Sequence, residues 1–203
     1  MNAGGKSSPK QISLIIDASL IPAFSQLLQK GFLIEGNVEC SVKSFLCEQF
    51  SVTPEYLEKR VQTIFLDGKA VDDVQGSLVR DGATLSLSAA MPGLAGAVLR
   101  RGGYYAPMRQ QISFEEGVTS TSIHPGRVYV KLFNLPLREI GPIFLEHGIL
   151  VDGDILKDIL AAREDDFRAG CTLALVDGQQ ADPGQLSKME WGTGEIFLQV
   201  KIS

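Results

Sequence analysis

The sequence is poor in the residues that catalytic, metal and disulfide sites use most. Its 203 residues include three cysteines and two histidines. The cysteines, Cys40, Cys47 and Cys171, are odd in number and form no CxxC pair, which argues against a secreted disulfide framework. Neither His124 nor His147 has a neighbouring ligand at metal-site spacing. The sequence therefore predicts no metal site, no cofactor and no catalytic residue, with an enzyme of unrecognised class that uses one of these histidines left as an alternative.

A basic excess and a long apolar run are missing too. The net charge is -5, which argues against a general nucleic-acid binder. The longest charge-free apolar stretch, 85–99, is interrupted by Pro92 and by glycines and is too short to cross a bilayer. Residues 1–10 are polar and resemble neither a signal peptide nor an anchor. We expect a cytoplasmic protein without membrane contact and with a disordered tail over 1–10.

The composition fits a folded protein with a substantial core. Hydrophobic residues make up 44% of the chain and charged residues 21%. A chain of this length accommodates two modules of about 100 residues each. Short apolar strands alternate with few helices, a pattern that predicts an α+β fold rather than a doubly wound sheet.

The two halves of the sequence repeat the same pattern. LLQKGFLIEGN (27–37) aligns with FLEHGILVDGD (144–154), and both glycines of each stretch coincide. Further matches follow in the same order: VKSFL (42–46) with LKDIL (156–160), FLDGKAVDD (65–73) with LVDGQQADP (175–183), and TLSLSA (84–89) with IFLQVK (196–201). Four ordered matches favour an internal duplication.

Each match also has a local structural interpretation. Gly31 and Gly148 follow helical stretches and precede apolar runs, so we expect helix ends there followed by buried strands. Asp67-Gly68 and Asp177-Gly178 follow apolar strands and predict tight hairpin turns. The predicted organisation is a tail at 1–10, a module at 11–93, a linker or added element at 94–126 and a second related α+β module at 127–203.

Three stretches of the first half carry a family resemblance. SVKSFLCEQF, VQTIFLDGKAVDD and SLVRDGATLSLSAAMPG together resemble the β-grasp of ubiquitin-like proteins and bacterial sulfur carriers. The resemblance covers about 32–93 and is weaker in the second half. It implies two tandem β-grasp-like modules related by internal duplication.

The same family suggests an alternative function. Sulfur carriers and ubiquitin-like modifiers act through a free C-terminal Gly-Gly, and 99–103, LRRGG, resembles such a tail. Here another hundred residues follow, so carrier or modifier chemistry requires cleavage after Gly103. The competing interpretation is a flexible basic linker.

The segment 98–111, VLRRGGYYAPMRQQ, is the candidate binding site. It combines arginines, which bind anions bidentately, with tyrosines, which offer stacking faces, and it contains no acid. The candidate residues are Arg100, Arg101, Gly102, Gly103, Tyr104, Tyr105 and Arg109. The alternative is an ordered connector whose tyrosines pack on a module and whose arginines face solvent.

These observations favour a non-catalytic binding or protein-interaction protein. It would recognise a protein partner or an anionic small ligand through this segment or through a sheet edge. A homodimer is a further possibility. The sequence leaves the ligand, the pathway and the oligomeric state open.

Overall fold

A computed structural model describes residues 9–112, 122–192 and 194–203. Helices and strands alternate along the chain, and the prediction of an α+β fold is confirmed. No helix in the described part of the chain is long and apolar enough to span a membrane. Residues 1–8 of the predicted tail, and 113–121 of the predicted linker, lie outside the described residues.

The strands, numbered in chain order, are short. They are β1 (Lys10–Ile16), β2 (Phe32–Val38), β3 (Cys40–Ser41), β4 (Thr63–Leu66), β5 (Lys69–Ala70), β6 (Leu78–Val79), β7 (Thr84–Ser88), β8 (His124–Leu132), β9 (Ile149–Asp152), β10 (Cys171–Val176), β11 (Gln179–Gln180) and β12 (Glu195–Ile202).

The helices are also short. The α-helices are α1 (Ser25–Lys30), α2 (Val42–Ser44), α3 (Pro54–Lys59), α4 (Gly93–Leu99), α5 (Asn134–Glu139), α6 (Gly141–His147), α7 (Gly153–Ala162) and α8 (Glu164–Gly170). Ala18–Phe24, Ala106–Ile112 and Pro183–Lys188 are 3-10 helices, and Phe45–Gln49 is a π-helix.

The chain divides into two compact units that interleave in sequence. The central unit is Ser25–His147, and the terminal unit combines Met1–Phe24 with Gly148–Ser203. The predicted modules at 11–93 and 127–203 are consecutive stretches of sequence. In the observed units, by contrast, β1 joins the sheet of the second half and β8 joins the sheet of the first half.

The central unit contains a five-stranded mixed sheet in the order β2-β8-β7-β4-β5. The β8/β7 pair is parallel and the other neighbours are antiparallel. Alternate residues of β8, Val128, Val130 and Leu132, are fully buried, as a strand with one core face requires. Phe32 of β2 and Phe144 of α6 pack in the same core with Phe50, which follows the π-helix.

The terminal unit contains five strands with the same pattern of directions, in the order β11-β10-β1-β12-β9. Its parallel pair is β1/β12, and the other neighbours are antiparallel. Ile12, Leu14 and Ile16 of β1 are buried. Phe24 and Phe167 pack edge to face at 5.9 Å beside them in this unit's core.

The predicted Asp-Gly turns are confirmed and occupy matching places in the two sheets. Asp67 and Gly68 both have positive φ between β4 and β5, and Asp177 and Gly178 do the same between β10 and β11. Each aspartate also accepts a hydrogen bond from the backbone N–H of the neighbouring strand: Asp67 Oδ1 from Thr84 at 2.7 Å and Asp177 Oδ1 from Gln11 at 2.8 Å. Gln11 of β1 thus takes the place that Thr84 of β7 takes in the central unit.

The two predicted helix-ending glycines lie in matching places as well. Gly31 (φ +119°) lies against the ring of Tyr129 in β8, and Gly148 (φ +103°) lies against the ring of Phe197 in β12. A Cβ at either glycine would collide with that ring, so both the close approach and the positive φ require glycine. Therefore β12 takes the place in the terminal unit that β8 takes in the central unit.

One helix changes form along its length. The stretch 42–49 begins as α2 and continues as the π-helix. Gln49 at its end accepts from the backbone N–H of Asn37 at 2.7 Å and donates to the carbonyl of Asn37 at 2.9 Å. These bonds to β2 accompany a helix end wider than an α-helix, a local feature that apolar periodicity does not encode.

Candidate functional site

The candidate segment forms a folded connector in the central unit. We call 93–109 the connector: it comprises α4, a turn at 100–105 and the start of the 3-10 helix Ala106–Ile112, which packs against α4. It follows β7 and precedes β8 along the chain.

Arg109 anchors the connector. Its side chain is 1% exposed, its Nη2 donates to Asp72 Oδ1 at 2.6 Å, and its Nε donates to the carbonyl of Val98 at 2.8 Å. A buried guanidinium needs such partners because an unpaired buried charge costs several kcal/mol, on the order of 3–5 kcal/mol when one partner is removed. Arg109 is therefore committed to internal contacts and not free to bind a ligand.

Arg101 is a second anchor. Its Nη2 donates to the carbonyls of Leu57 and Glu58 in the last turn of α3, at 3.0 and 3.3 Å, and its backbone N–H donates to the carbonyl of Gln62 at 2.7 Å. A cation at a helix C-terminus satisfies carbonyls that have no partner within the helix. Burial lowers the pKa of the Arg101 guanidinium, and the nearby Glu58 carboxylate opposes that shift.

The Gly102-Gly103 pair lies within a turn and not in an extended tail. Gly102 has φ +61°, and its N–H donates to Asp72 Oδ1 at 3.1 Å. The N–H of Gly103 donates to the carbonyl of Arg100 at 3.2 Å, and the carbonyl of Gly103 accepts from Ala106 at 3.0 Å. Cleavage after Gly103 would have to act on this hydrogen-bonded turn, so these contacts give the carrier interpretation no support.

The tyrosines, in contrast, face solvent. Tyr104 is 89% exposed and Tyr105 is 38% exposed, and their rings meet edge to face at 5.1 Å. Leu94 and Met108 of the same connector are 72% and 73% exposed. This arrangement is the opposite of the ordered connector considered from the sequence, in which tyrosines pack on a module and arginines face solvent. Here two arginines are anchored inside, and the aromatic and apolar side chains are exposed.

Arg100 is the exposed arginine of the connector. It lines a cleft of about 680 Å³ together with Arg101 and Gly102. The opposite wall comes from α3 and from 72–75, and Lys43 and Gln62 also line it. The connector therefore presents two features, an apolar outer surface and a polar cleft at its base.

Neither histidine belongs to the connector or lines its cleft. His124 is exposed, and its Nδ1 lies 2.9 Å from the carbonyl of Ser122. His147 is exposed and packs against Phe50, with ring centroids 4.7 Å apart. Within the described part of the chain, His124 contacts a backbone carbonyl and His147 an aromatic ring, so these contacts give the enzyme hypothesis no support.

The cysteines are free. Cys40 in β3 and Cys171 in β10 are buried, and Cys47 in the π-helix is partly buried. Burial raises the pKa of all three thiols, which disfavours the reactive thiolate. Among the described residues, no group of three or more histidine, cysteine or acidic side chains is arranged to hold a metal ion.

Sequence reasoning located the connector and missed several residues that shape it. Leu94 and Met108 are strongly exposed apolar side chains of the connector, and Asp72 holds both Arg109 and Gly102. The lack of any acid in 93–109 was a usable signal that a partner acid must come from elsewhere. The choice of Asp72 from a distant loop has no signature in the sequence.

Comparison with known proteins adds no relative. No protein-family model matches the chain, and no curated protein or solved structure is significantly similar to it.

Proposed function

We propose that the two units descend from one β-grasp-like module by internal duplication. In the terminal unit the first and last strands have exchanged places: β1, a first strand, lies where the last strand β7 lies in the central unit, and β12, a last strand, lies where the first strand β8 lies. The matching strand directions, the two Asp-Gly turns and the two glycine–aromatic contacts support this origin. The exchange costs little free energy because the two strands involved are parallel neighbours, and both have buried alternate residues. This holds for β1 and β12 as it does for β7 and β8.

On this scaffold the protein is a non-catalytic binding protein that recognises a protein partner through the outer surface of the connector. The single observation that carries this proposal is the exposure of Leu94, Tyr104 and Met108 on a segment whose base is fixed. Four of the seven exposed large hydrophobic side chains in the described part of the chain lie between residues 94 and 108. Clustered exposed apolar residues mark interaction sites, whereas scattered ones do not.

The residue types suit a protein interface. Tyrosine, methionine and arginine are enriched in interface cores, and tyrosine provides large contact area at low entropic cost. Arg101 and Arg109 fix the connector to the central unit before any partner arrives. Such preorganisation lowers the ordering cost of binding.

The charge of the connector indicates which kind of partner surface would be complementary to it. Residues 93–109 contain three arginines and no acid, and Arg100 is the exposed one of the three. The complementary surface is an apolar patch or groove with acidic residues at its rim. A second copy of this chain is the competing occupant.

The test begins with a photo-crosslinking amino acid in place of Tyr104 in the source cells. The same amino acid in place of Leu135, which is 41% exposed on α5, serves as the matched control. We expect one adduct specific to position 104, and we expect the partner to be identified from it and purified.

Affinity measurements with that partner then decide the proposal. Tyr104→Ala and Met108→Ala should each weaken binding by about 30-fold, as expected when a hot spot worth about 2 kcal/mol is truncated. Leu135→Ala should leave the affinity unchanged, and Arg100→Glu should weaken it most at low salt. Equal affinities for the position 104 and 135 variants would overturn the proposal, as would an adduct that consists only of two copies of this chain.

A further inference from the structure

The cleft at the base of the connector has the size and the lining of a small-ligand site. Its volume of about 680 Å³ falls within the range of about 300–1,000 Å³ typical of such pockets. Apolar side chains of Pro54, Leu57 and Val74 form part of its wall, and polar groups converge from the connector and from α3.

Most of the acids that line the cleft are already engaged. Asp72 accepts from Arg109 and from the Gly102 N–H, and Asp73 accepts from the backbone N–H of Gln75 at 2.8 Å. Hydrogen bonds from the backbone N–H groups of Gly76 and Gln75 lower the pKa of Asp73 and hold it ionised within its own turn. Glu58 is the acid that remains.

The cations are less well compensated. Among the described residues, Lys43, Arg100 and Arg101 form no ion pair, whereas Lys59 at the rim pairs with Glu55 at 2.8 Å. Lys43, Arg100 and Arg101 outnumber the two carboxylates of the lining that pair with no cation, Glu58 and Asp73, so the cleft keeps a positive balance of charge. A partly buried cation such as Arg101 acts more strongly on a ligand than an exposed one because less water screens it.

Two buried polar atoms of residues that line the cleft lack hydrogen-bond partners. Nη1 of Arg101 is a donor without an acceptor, and Oε1 of Gln62 is an acceptor without a donor. The backbones of these two residues are joined by the 2.7 Å hydrogen bond from Arg101 to Gln62, and both side chains line the cleft. Unsatisfied buried groups cost about 1–3 kcal/mol each, more for a charged one, so a ligand that satisfies them gains affinity.

We propose that this cleft binds a small organic anion in which a carboxylate or phosphate group has a neighbouring hydroxyl or amino group. The anionic group contacts the guanidinium of Arg101, with Lys43 and Arg100 at the mouth of the cleft. The hydroxyl or amino group donates to Oε1 of Gln62. Tyr104 and Met108 do not line the cleft, so this proposal shares only Arg100 with the protein-partner surface, and Gln62→Met tests the cleft without changing that surface.

The first test compares malate with succinate on the purified full-length protein. The two dicarboxylates differ by one hydroxyl, and inorganic phosphate is the third probe. We expect calorimetry to show malate binding about tenfold more tightly than succinate, the effect of one added hydrogen bond worth about 1.4 kcal/mol. The side-chain ¹⁵N resonance of Arg101 should shift on titration with either acid. Equal affinity for both acids, or no shift at Arg101 with any probe, would overturn the proposal.

Variants locate the site without disturbing the anchors. Gln62→Met should remove the preference for malate and leave succinate binding in place. Lys43→Gln and Arg100→Gln should each weaken malate binding several-fold, whereas Arg138→Gln, which removes an exposed arginine outside the cleft, should not. Equal affinities for the Lys43, Arg100 and Arg138 variants would show that the anion binds elsewhere and would contradict the proposal.

Discussion

The central and terminal units have the same five-strand plan but connect its parallel pair differently. In the central unit the pair is β7 and β8, and residues 89–123 join the two strands. In the terminal unit the pair is β1 and β12, which no short segment joins. The connector, with its exposed tyrosines and its cleft, therefore belongs to the unit whose parallel strands follow each other in the chain.

This difference separates scaffold from candidate function. Features shared by both units, the Asp-Gly turns and the glycine–aromatic contacts, serve the sheet and recur in the same places. Features found on one unit, the anchored arginines and the exposed apolar side chains, lie on the connector outside the strands.

The largest effect should come from a charge in the middle of either parallel pair. Leu14 in β1 and Leu87 in β7 are buried and face Val200 and Leu132 at equivalent positions. Leu14→Asp and Leu87→Asp should each cost more than about 4 kcal/mol because they bury an unpaired carboxylate. Hydrogen exchange should show loss of protection in the unit that contains the change.

The matched controls are Ser13→Asp and Ser86→Asp on the opposite, partly exposed face of the same strands. Each should cost less than about 1 kcal/mol. Loss of protection in β4 rather than β10 on Leu14→Asp would contradict the interleaved units.

Glycine substitutions should have the next largest effect, and it should be similar in the two units. Gly31→Ala and Gly148→Ala each introduce a Cβ that collides with an aromatic ring at a positive φ, so we expect each to cost about 2–4 kcal/mol in urea unfolding. Gly82→Ala has a positive φ and open space around its Cβ, and should cost about 1 kcal/mol. A Gly148→Ala variant as stable as wild type would break the equivalence.

How much of this could be read from the sequence depends on the range of the interaction. Asp67-Gly68, Asp177-Gly178 and the glycines at 31 and 148 were located because turn and helix-end chemistry is local. The interleaving of β1 and β8 was not, since alternation of buried residues fixes the face of a strand and not its neighbour. The pairing of Arg109 with Asp72 spans 37 residues, and no local pattern specifies it.

Release of the connector should have a smaller effect on global stability and a clear local one. Asp72→Ala removes the acceptor of Arg109 and of the Gly102 N–H, and should cost about 1–3 kcal/mol because Asp72 itself is 43% exposed. Limited proteolysis should then cut within 93–112 faster than in wild type. Glu55→Ala breaks an exposed pair with Lys59 and should change neither property; equal proteolysis rates for the two variants would remove the anchoring role of Asp72.

The smallest effects concern one carboxylate in each unit. A hydrogen bond from Arg60, and next one from Tyr56, lowers the pKa of Glu139; a hydrogen bond from Ser187, and next one from Lys188, lowers that of Glu164. A lowered folded-state pKa stabilises the protein above the ordinary pKa of 4.5, and the contribution is lost as the pH falls through the folded value.

We therefore expect Glu139→Gln and Glu164→Gln to be less stable than wild type at neutral pH and to converge with it in acid. Urea unfolding across that pH range measures the difference. A gap that stays constant with pH would show that these carboxylates act through packing alone.

The most direct test of the interleaved architecture is the set of nuclear Overhauser effects from β1. We expect contacts from the amide region of Ser13 to that of Gln199 in β12 and to Leu175 in β10. Contacts from Ser13 to β7, as two consecutive modules would require, would contradict it.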